Sequence, residues 1–298
     1  MNKVKMIGVD LGGTNLRAGV VDSSGRILIE KSIRTEAEKG YEYVIRKIMN
    51  LITEVKQHHE VKSIGIGSPG PLDPYNGVIL SPPNLPGWDE IHLIDILKRE
   101  IDVPIYLDND ANAAALAEAK FGAGKNHSSV FYVTVSTGIG GGYVLDGNVV
   151  SGAHGYAGEI GNMILQPKGP RWGGLNAGSF EALASGTAIG RNGRERLGIA
   201  GGAEEVFSMA TNGNLEARHI VEETVTYLAM GIANLVHIVN PSIVVLGGGV
   251  MQAEEQILSP LRERIKGYLY PGLRECVRLE PAVLGTKAGL IGAAMLGT

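Results

Sequence analysis

The chain is 298 residues long, enough to bury the core of one large domain or of two smaller ones, and its 27 Lys+Arg against 31 Asp+Glu leave a net charge of -4. That balance offers no basic field for nucleic acid or an anionic membrane, and no run of about 20 apolar residues is present to span a bilayer. A single cysteine, Cys276, excludes an intramolecular disulfide and a multi-thiolate metal cage; with a start, MNKVKMIGVDLGG, that meets a glycine turn before any secretory hydrophobic region, it predicts a protein of the reducing cytoplasm.

Residues 4–9 read as a strand, 10–15 as a turn and 16–21 as a second strand, which closes in Asp22-Ser23-Ser24-Gly25 and continues over residues 26–32. Val44, Ile45, Ile48, Leu51, Ile52 and Val55 recur at three- and four-residue steps and predict a helix over residues 41–58, followed by a strand over 61–67. A helix over residues 91–100, a buried strand over 103–107 and an Ala-rich helix over 111–121 continue the alternation and predict an α/β class. A second hairpin then begins at Val130: FYVTV runs into a turn over residues 136–142 and returns over 143–145 to Asp146-Gly147. Both hairpins pass from strand through glycine turn to strand and an Asp-containing turn, Gly13 to Asp22 in one and Gly138 to Asp146 in the other, which predicts duplicated halves. Further on come a long helix over residues 214–239, a strand over 243–246 leading into Gly247-Gly248-Gly249, and a closing segment, 286–296, whose small residues suit tight packing against the first half. The halves are expected to divide within residues 118–127, where Gly122, Gly124 and Asn126 weaken the helix.

Three glycine turns, Gly12-Gly13-Thr14, Thr137-Gly138 and Gly247-Gly248, could surround phosphates with backbone N–H groups, and Thr14 and Thr137 could add hydroxyl bonds. Asp10, just before the first turn, could hold a water on Mg2+. The alternative for each is a plain hairpin or strand-end turn. Gly65-Ile66-Gly67-Ser68-Pro69-Gly70 matches the dinucleotide fingerprint in letters, but Pro69 and Pro71 deny it the helix that must open on the third glycine. A P-loop is ruled out, because Gly124-Lys125 is followed by Asn126 and Thr286-Lys287 by Ala288.

Asp108-Asn109-Asp110 stands just beyond a buried strand and before a helix, the edge at which open α/β sheets bind ligands. Asp110 is either a helix N-cap or a base that accepts an alcohol's proton during attack on phosphorus, with Asn109 as the substrate's anchor. Glu159, Asn162 and Glu181 could bond adjacent hydroxyls of a polyol. His154 reads as an ordinary loop histidine, and Trp88 and Trp172 as packing residues.

Together these segments resemble the ROK sugar-kinase family, and its bacterial glucokinases in particular. The resemblance is carried in order by Asp10-Leu11-Gly12-Gly13-Thr14, Gly65-Ile66-Gly67-Ser68-Pro69-Gly70-Pro71, Ser81-Pro82-Pro83-Asn84-Leu85-Pro86-Gly87-Trp88, Asn109-Asp110-Ala111-Asn112-Ala113, Thr137-Gly138-Ile139-Gly140-Gly141-Gly142, Gly158-Glu159-Ile160-Gly161 and Gly247-Gly248-Gly249. It implies a two-domain actin-like ATPase (ribonuclease H-like) α/β fold, with a duplicated mixed-sheet core and an interdomain cleft for ATP and Mg2+. The N-terminal lobe would comprise residues 1–118 plus approximately 286–298, and the C-terminal lobe residues 119–285. The implied reaction is phosphoryl transfer to a hexose, most simply to the 6-hydroxyl of glucose, in a protein that commonly forms homodimers.

Carried over by position, the resemblance makes Asp110 the general base and Asn84, Asn109, Glu159, Asn162 and Glu181 sugar contacts. Gly12, Gly13, Thr14, Thr137 and Gly138 fall in its phosphate turns, Gly247 and Gly248 near the adenosine, and Asp10 at the Mg2+ ligand, directly or through water. Many relatives also carry a structural zinc on one histidine and three cysteines; here those four positions hold Asn162, Trp172, Gly174 and Ser179, so no zinc is expected. Losing the histidine at Asn162 leaves the preferred hexose open, with N-acetylmannosamine kinase as the nearest alternative. A sugar-responsive regulator without catalysis and a structural actin-like protein are alternatives of another class; the first lacks room for a DNA-binding domain ahead of Asp10.

Overall fold

The computed structural model describes residues 3–298; Met1 and Asn2, which the expected N-terminal lobe includes, lie outside the described residues. In chain order the elements are β1 (Lys5–Leu11), β2 (Asn15–Asp22), β3 (Ile27–Arg34), α1 (Tyr41–Lys56), β4 (Ile64–Ser68), β5 (Leu72–Asp73), β6 (Val78–Ile79), α2 (Leu93–Leu97), β7 (Ile105–Asn109) and α3 (Asp110–Phe121). They continue with β8 (Ser129–Val135), β9 (Ile139–Leu145), β10 (Asn148–Val149), α4 (Phe180–Ala184), α5 (Gly186–Leu197), α6 (Ala203–Thr211), α7 (Leu215–Val239), β11 (Ile243–Gly247), α8 (Glu254–Arg264), β12 (Leu279–Pro281) and α9 (Ala288–Met295). Among the described residues no helix is long and apolar enough to cross a membrane.

Two five-stranded sheets are ordered β3-β2-β1-β4-β7 and β10-β9-β8-β11-β12. The two orders are the same once β8 is set beside β1, β9 beside β2, β10 beside β3, β11 beside β4 and β12 beside β7. In each, antiparallel pairs give way to parallel ones: β1 is antiparallel to β2 and parallel to β4, while β9 is antiparallel to β10 and β8 parallel to β11. The chain divides into two compact units, the first holding the chain up to Ser128 with Gly142–Gly158 and Val283–Thr298, the second Ser129–Gly141 and Glu159–Ala282.

In the first unit, α1 buries the six apolar residues that announced it, against a core that includes Ile7, Val9, Leu16 and Ile64. Trp88 is buried in the same cluster. The closing helix α9 lies so near the sheet that glycine is required beneath it: an added Cβ would stand 2.1 Å from the Leu290 carbonyl oxygen at Gly8 and 1.8 Å from that of Ala293 at Gly65. On its other side a Cβ on Gly292 would meet the Ala113 carbonyl oxygen of α3 at 1.6 Å. Gly65 thus clears a path for a helix, and no helix opens at Gly70 for a dinucleotide. Fully buried Glu118, near the end of α3, accepts the N–H groups of Ala123 at 2.9 Å and Leu284 at 2.8 Å, tying both connections to the helix.

Two expectations are corrected in this unit. The helix expected over residues 91–100 is only the five residues of α2, because Ile91 exchanges backbone hydrogen bonds with Ile79 and is engaged in strand pairing. Gly142 lies in a strand rather than in the turn expected over 136–142; an added Cβ would be 2.8 Å from the Ala115 Cβ, so glycine there lets β9 pass close to α3.

The second unit is centred on buried residues of β8 and β11 such as Val133, Val135, Val244 and Leu246. Its long helix, α7, is N-capped by Asn214, whose Oδ1 accepts the Ala217 N–H at 2.9 Å, and stops at Asn240 in the left-handed region before Pro241. Midway along α7, Gly231 leaves the space that the buried Phe180 ring fills.

Candidate functional site

In the first unit β7 ends at Asn109, and α3 begins at Asp110. Asn109, not Asp110, is the N-cap: its Oδ1 accepts the Ala111 N–H at 2.8 Å, which leaves its Nδ2 group to donate elsewhere. Asp110 Oδ1 also accepts that N–H, at 2.7 Å, and its side chain is exposed. Asp108 is buried, and that burial pushes its carboxyl above the ordinary value of 3.8, against the lowering effect of bonds from Asn112, Asn109 and Ser151.

The turn between β1 and β2 is closed by Gly12 N–H donating to the Asn15 carbonyl at 2.9 Å and by the Thr35 hydroxyl donating to the Gly12 carbonyl at 2.6 Å. Thr14 is exposed at its tip. An added Cβ on Gly13 would lie 2.6 Å from the Asn84 carbonyl oxygen, so this turn and the Asn84 loop are in direct backbone contact. Asp10 stands opposite Arg17 across the β1–β2 pair and accepts its guanidinium at 2.5 Å; Arg17 also donates to the Thr286 carbonyl at 2.6 Å. One carboxylate oxygen is thereby committed to Arg17, which leaves the other as the oxygen that could hold a cation or its water.

In the second unit the turn after β8 is closed by Ser136 N–H on the Gly138 carbonyl at 2.9 Å. Glu181, from the first turn of α4, accepts the Ile139 N–H at 2.8 Å, and its Oε2 would be 2.5 Å from a Cβ on Gly138. A candidate phosphate turn and a candidate sugar contact therefore meet here, as Gly13 and Asn84 do in the first unit. Partial desolvation, and secondly the Glu181 carboxylate, push the Glu159 carboxyl above its ordinary 4.5.

Gly247 ends β11, and Gly248 has a φ of 93° where a Cβ would collide with the Val135 carbonyl oxygen at 2.2 Å, so only glycine fits that step. Beyond it lies a cavity of about 690 Å³ whose lining includes Thr137, Thr187, Arg194, Glu204, Phe207 and Gln252. An added Cβ on Gly202 or Gly249, both in the lining, would meet no heavy atom within 4 Å, so these glycines leave open room. The start of α5 faces this cavity, with Gly186 N–H donating to the Ser136 carbonyl at 2.7 Å and Ser185 capping the helix.

Apart from Thr137, these lining residues were missed by sequence reasoning. A signal was present in the small residues Gly186, Gly190 and Gly193: at Gly190 a Cβ would be 3.2 Å from the Gly202 Cα, and at Gly193 it would press on Val206.

Three of the four positions compared with zinc ligands make other contacts. Asn162 Oδ1 accepts the Asn176 N–H at 2.8 Å, and the Ser179 hydroxyl caps α4 by accepting the Ala182 N–H at 3.3 Å. Gly174 is exposed. Trp172, expected to pack, is exposed too, with the Arg191 guanidinium 5.7 Å from its ring centre. The intervening loop is held by backbone bonds instead, from Leu165 and Gln166 to the Gly178 carbonyl and from Gly178 to the Pro170 carbonyl. Among the described residues no group of three or more His, Cys, Asp or Glu is placed to hold a metal ion.

The profile described as the ROK family matches residues 6–298. A glucokinase of Thermotoga maritima is 38% identical, the match covering 99% of this chain and 98% of that protein. A ROK hexokinase structure from Thermus thermophilus aligns with a TM-score of 0.86 at 38% identity, covering 98% of this chain and 97% of that one. A ROK family glucokinase of Streptomyces griseus, crystallised with glucose and AMPPNP, aligns with a TM-score of 0.82 at 32% identity over 98% of each chain. The α/β architecture with its two mixed sheets is that of these kinases, the actin-like ATPase fold.

Proposed function

The chain belongs to the ROK family, and from that membership we propose that it is an ATP-dependent hexokinase that transfers the γ-phosphoryl group of ATP to the 6-hydroxyl of glucose. The observation that carries the reading occurs once in each unit: a glycine of a phosphate turn lies against a polar residue suited to a sugar, Gly13 on Asn84 and Gly138 on Glu181. A phosphoryl donor and a hydroxylic acceptor need that adjacency, because transfer depends on positioning more than on covalent help.

Asp110 is the general base. Its exposed carboxylate takes the proton of the 6-hydroxyl as the new O–P bond forms and the bond to the ADP oxygen breaks. Asn109 donates through Nδ2, because its Oδ1 is already held by Ala111. Asn162 is constrained in the same way by Asn176 and donates to a sugar oxygen, while Glu159 and Glu181 accept hydrogen bonds from hydroxyls and Asn84 completes the hexose contacts. Gly12, Gly13, Thr14, Thr137 and Gly138 cradle the phosphates, and the nucleoside end occupies the cavity beyond Gly247 and Gly248. Asp10 would hold Mg2+ through water, and the ion would offset the phosphate charge.

We assign the protein to the cytoplasm as a homodimer, a state that sedimentation would check. The decisive experiment is mass-resolved phosphorylation of glucose, mannose, fructose and N-acetylmannosamine with ATP and Mg2+. Glucose is expected to be the preferred acceptor; preference for N-acetylmannosamine would reassign the substrate, and no phosphorylated product would defeat the proposal.

A further inference from the structure

We infer that Asp108 is a positioning residue for the transfer proposed above, on which this role rests: its buried carboxylate fastens the junction bearing Asn109 and Asp110 to the loop that runs into Glu159. That loop, residues 151–158, follows β10 in the first unit.

Both carboxylate oxygens of Asp108 are engaged. Oδ1 accepts the Asn109 N–H at 2.7 Å and the Asn112 Nδ2 group at 2.8 Å, setting the angle at which β7 passes into α3. Oδ2 accepts the Ser151 hydroxyl at 3.2 Å. A carboxylate buried to 6% exposure is expensive unless its lone pairs are met, and here two amide groups and a hydroxyl meet them. A strand end alone demands no such group.

The loop needs the fastening, because none of residues 151–158 is buried. Ser151 anchors its base, both through Asp108 and through its carbonyl, which accepts the Ala157 N–H at 3.1 Å. The Tyr75 hydroxyl donates to the Gly152 carbonyl, and Gly155 lies where a Cβ would be 2.5 Å from Pro74 Cδ. A cavity of about 380 Å³ is lined by Asp108 and Ser151 together with Tyr75 and Tyr106, so on that side the hydrogen bond rather than packed side chains closes the contact. One bond thus links the proton acceptor's junction to the segment that precedes a hexose contact in the chain. Neither Asp108 nor Ser151 lines the cavity assigned to the nucleoside. Loosening the bond should therefore be felt by the sugar and not by ATP.

The test is steady-state kinetics of Ser151→Ala, Ser151→Thr and Asp108→Ala, with glucose and ATP varied separately and thermal melts recorded for each protein. Ser151→Ala is expected to raise KM for glucose roughly tenfold, the loss of a charge-assisted hydrogen bond, with KM for ATP changed by less than about twofold. Ser151→Thr, which keeps the hydroxyl, is expected to restore KM for glucose to within about threefold of wild type. In an Asp108→Ala background, Ser151→Ala should add almost nothing. The role is overturned if the Ser151→Ala protein matches wild type, if both KM values rise together, or if Ser151→Ala costs as much with Asp108 removed. Should Asp108→Ala not fold, the two Ser151 variants decide alone. A wild-type protein that phosphorylates no hexose would instead overturn the kinase reading, and this role with it.

Discussion

Gly65 and Gly67 sit two residues apart on the same face of β4, yet alanine is expected to have unlike effects at the two positions. At Gly65 the new Cβ would be 1.8 Å from the Ala293 carbonyl oxygen, whereas real Cβ atoms essentially never approach within 3.0 Å, so at least 1.2 Å must be found by moving α9 or β4. Neither can give easily. Gly292 already sits against the Ala113 backbone on the far side of α9, and Gly8 meets the Leu290 carbonyl from β1. Overpacking of this kind should cost about 3 kcal/mol or more, at the upper end of its usual range. At two to four degrees per kcal/mol that is a fall in Tm of roughly 6–12 °C. At Gly67 the nearest atom is the Ala113 Cβ at 3.3 Å and the next is at 3.7 Å, so Gly67→Ala should shift stability by less than about 1 kcal/mol, helped by a less flexible unfolded chain. Thermal melts and urea titrations of the two variants, followed by circular dichroism, measure the difference. Melting points within about 2 °C of one another would refute the packing account. A dinucleotide-binding role would predict the opposite pattern, with ligand affinity altered at both positions and stability at neither.

Asp110→Asn is expected to lower kcat by about 10²- to 10⁴-fold while hexose binding, followed by calorimetry, is retained; wild-type turnover would remove Asp110 as the base. Glu118→Gln replaces an acceptor, on a buried side chain, with a donor facing the part-buried N–H of Ala123 or Leu284, and should cost about 1–3 kcal/mol in urea unfolding; an unchanged midpoint would contradict the bracket described for α3. Glu159 accepts a hydroxyl hydrogen bond more strongly when ionised, so hexose affinity should be complete above its folded pKa and weaken as pH falls through it. Because that pKa is raised from 4.5, the loss should begin at a higher pH than an unperturbed glutamate would allow, and Glu159→Gln should flatten the profile.

Those parts of the fold that depend on local pattern were legible in the residues. The period of Val44 to Val55 marked α1, and the glycine turns after β1 and β8 marked two hairpins that prove to head two sheets of the same strand order. What local pattern hides is the partner across space. Nothing near Gly65 says that a helix more than 200 residues later needs its missing side chain. Nothing near Gly13 names Asn84. Ile91 was assigned to a helix because its pairing with Ile79 is a tertiary matter, and Trp172 was expected to pack because large aromatic residues usually do. Ordered motifs single out Asp110, Asn109 and Glu159 as candidates, whereas Asp108 reads as an ordinary turn residue until its bonds to Asn112 and Ser151 are seen.

The close fit of α9 beneath β1, β4 and α3 bears on the order of biosynthesis. The glycines that receive this helix are laid down among the first 65 residues, but the helix itself is translated after every element of the second unit. On the ribosome the early sheet must wait, with its groove exposed to water, until the later unit has emerged. Domains usually mature from the amino terminus onward; here the unit begun first is the last to be sealed.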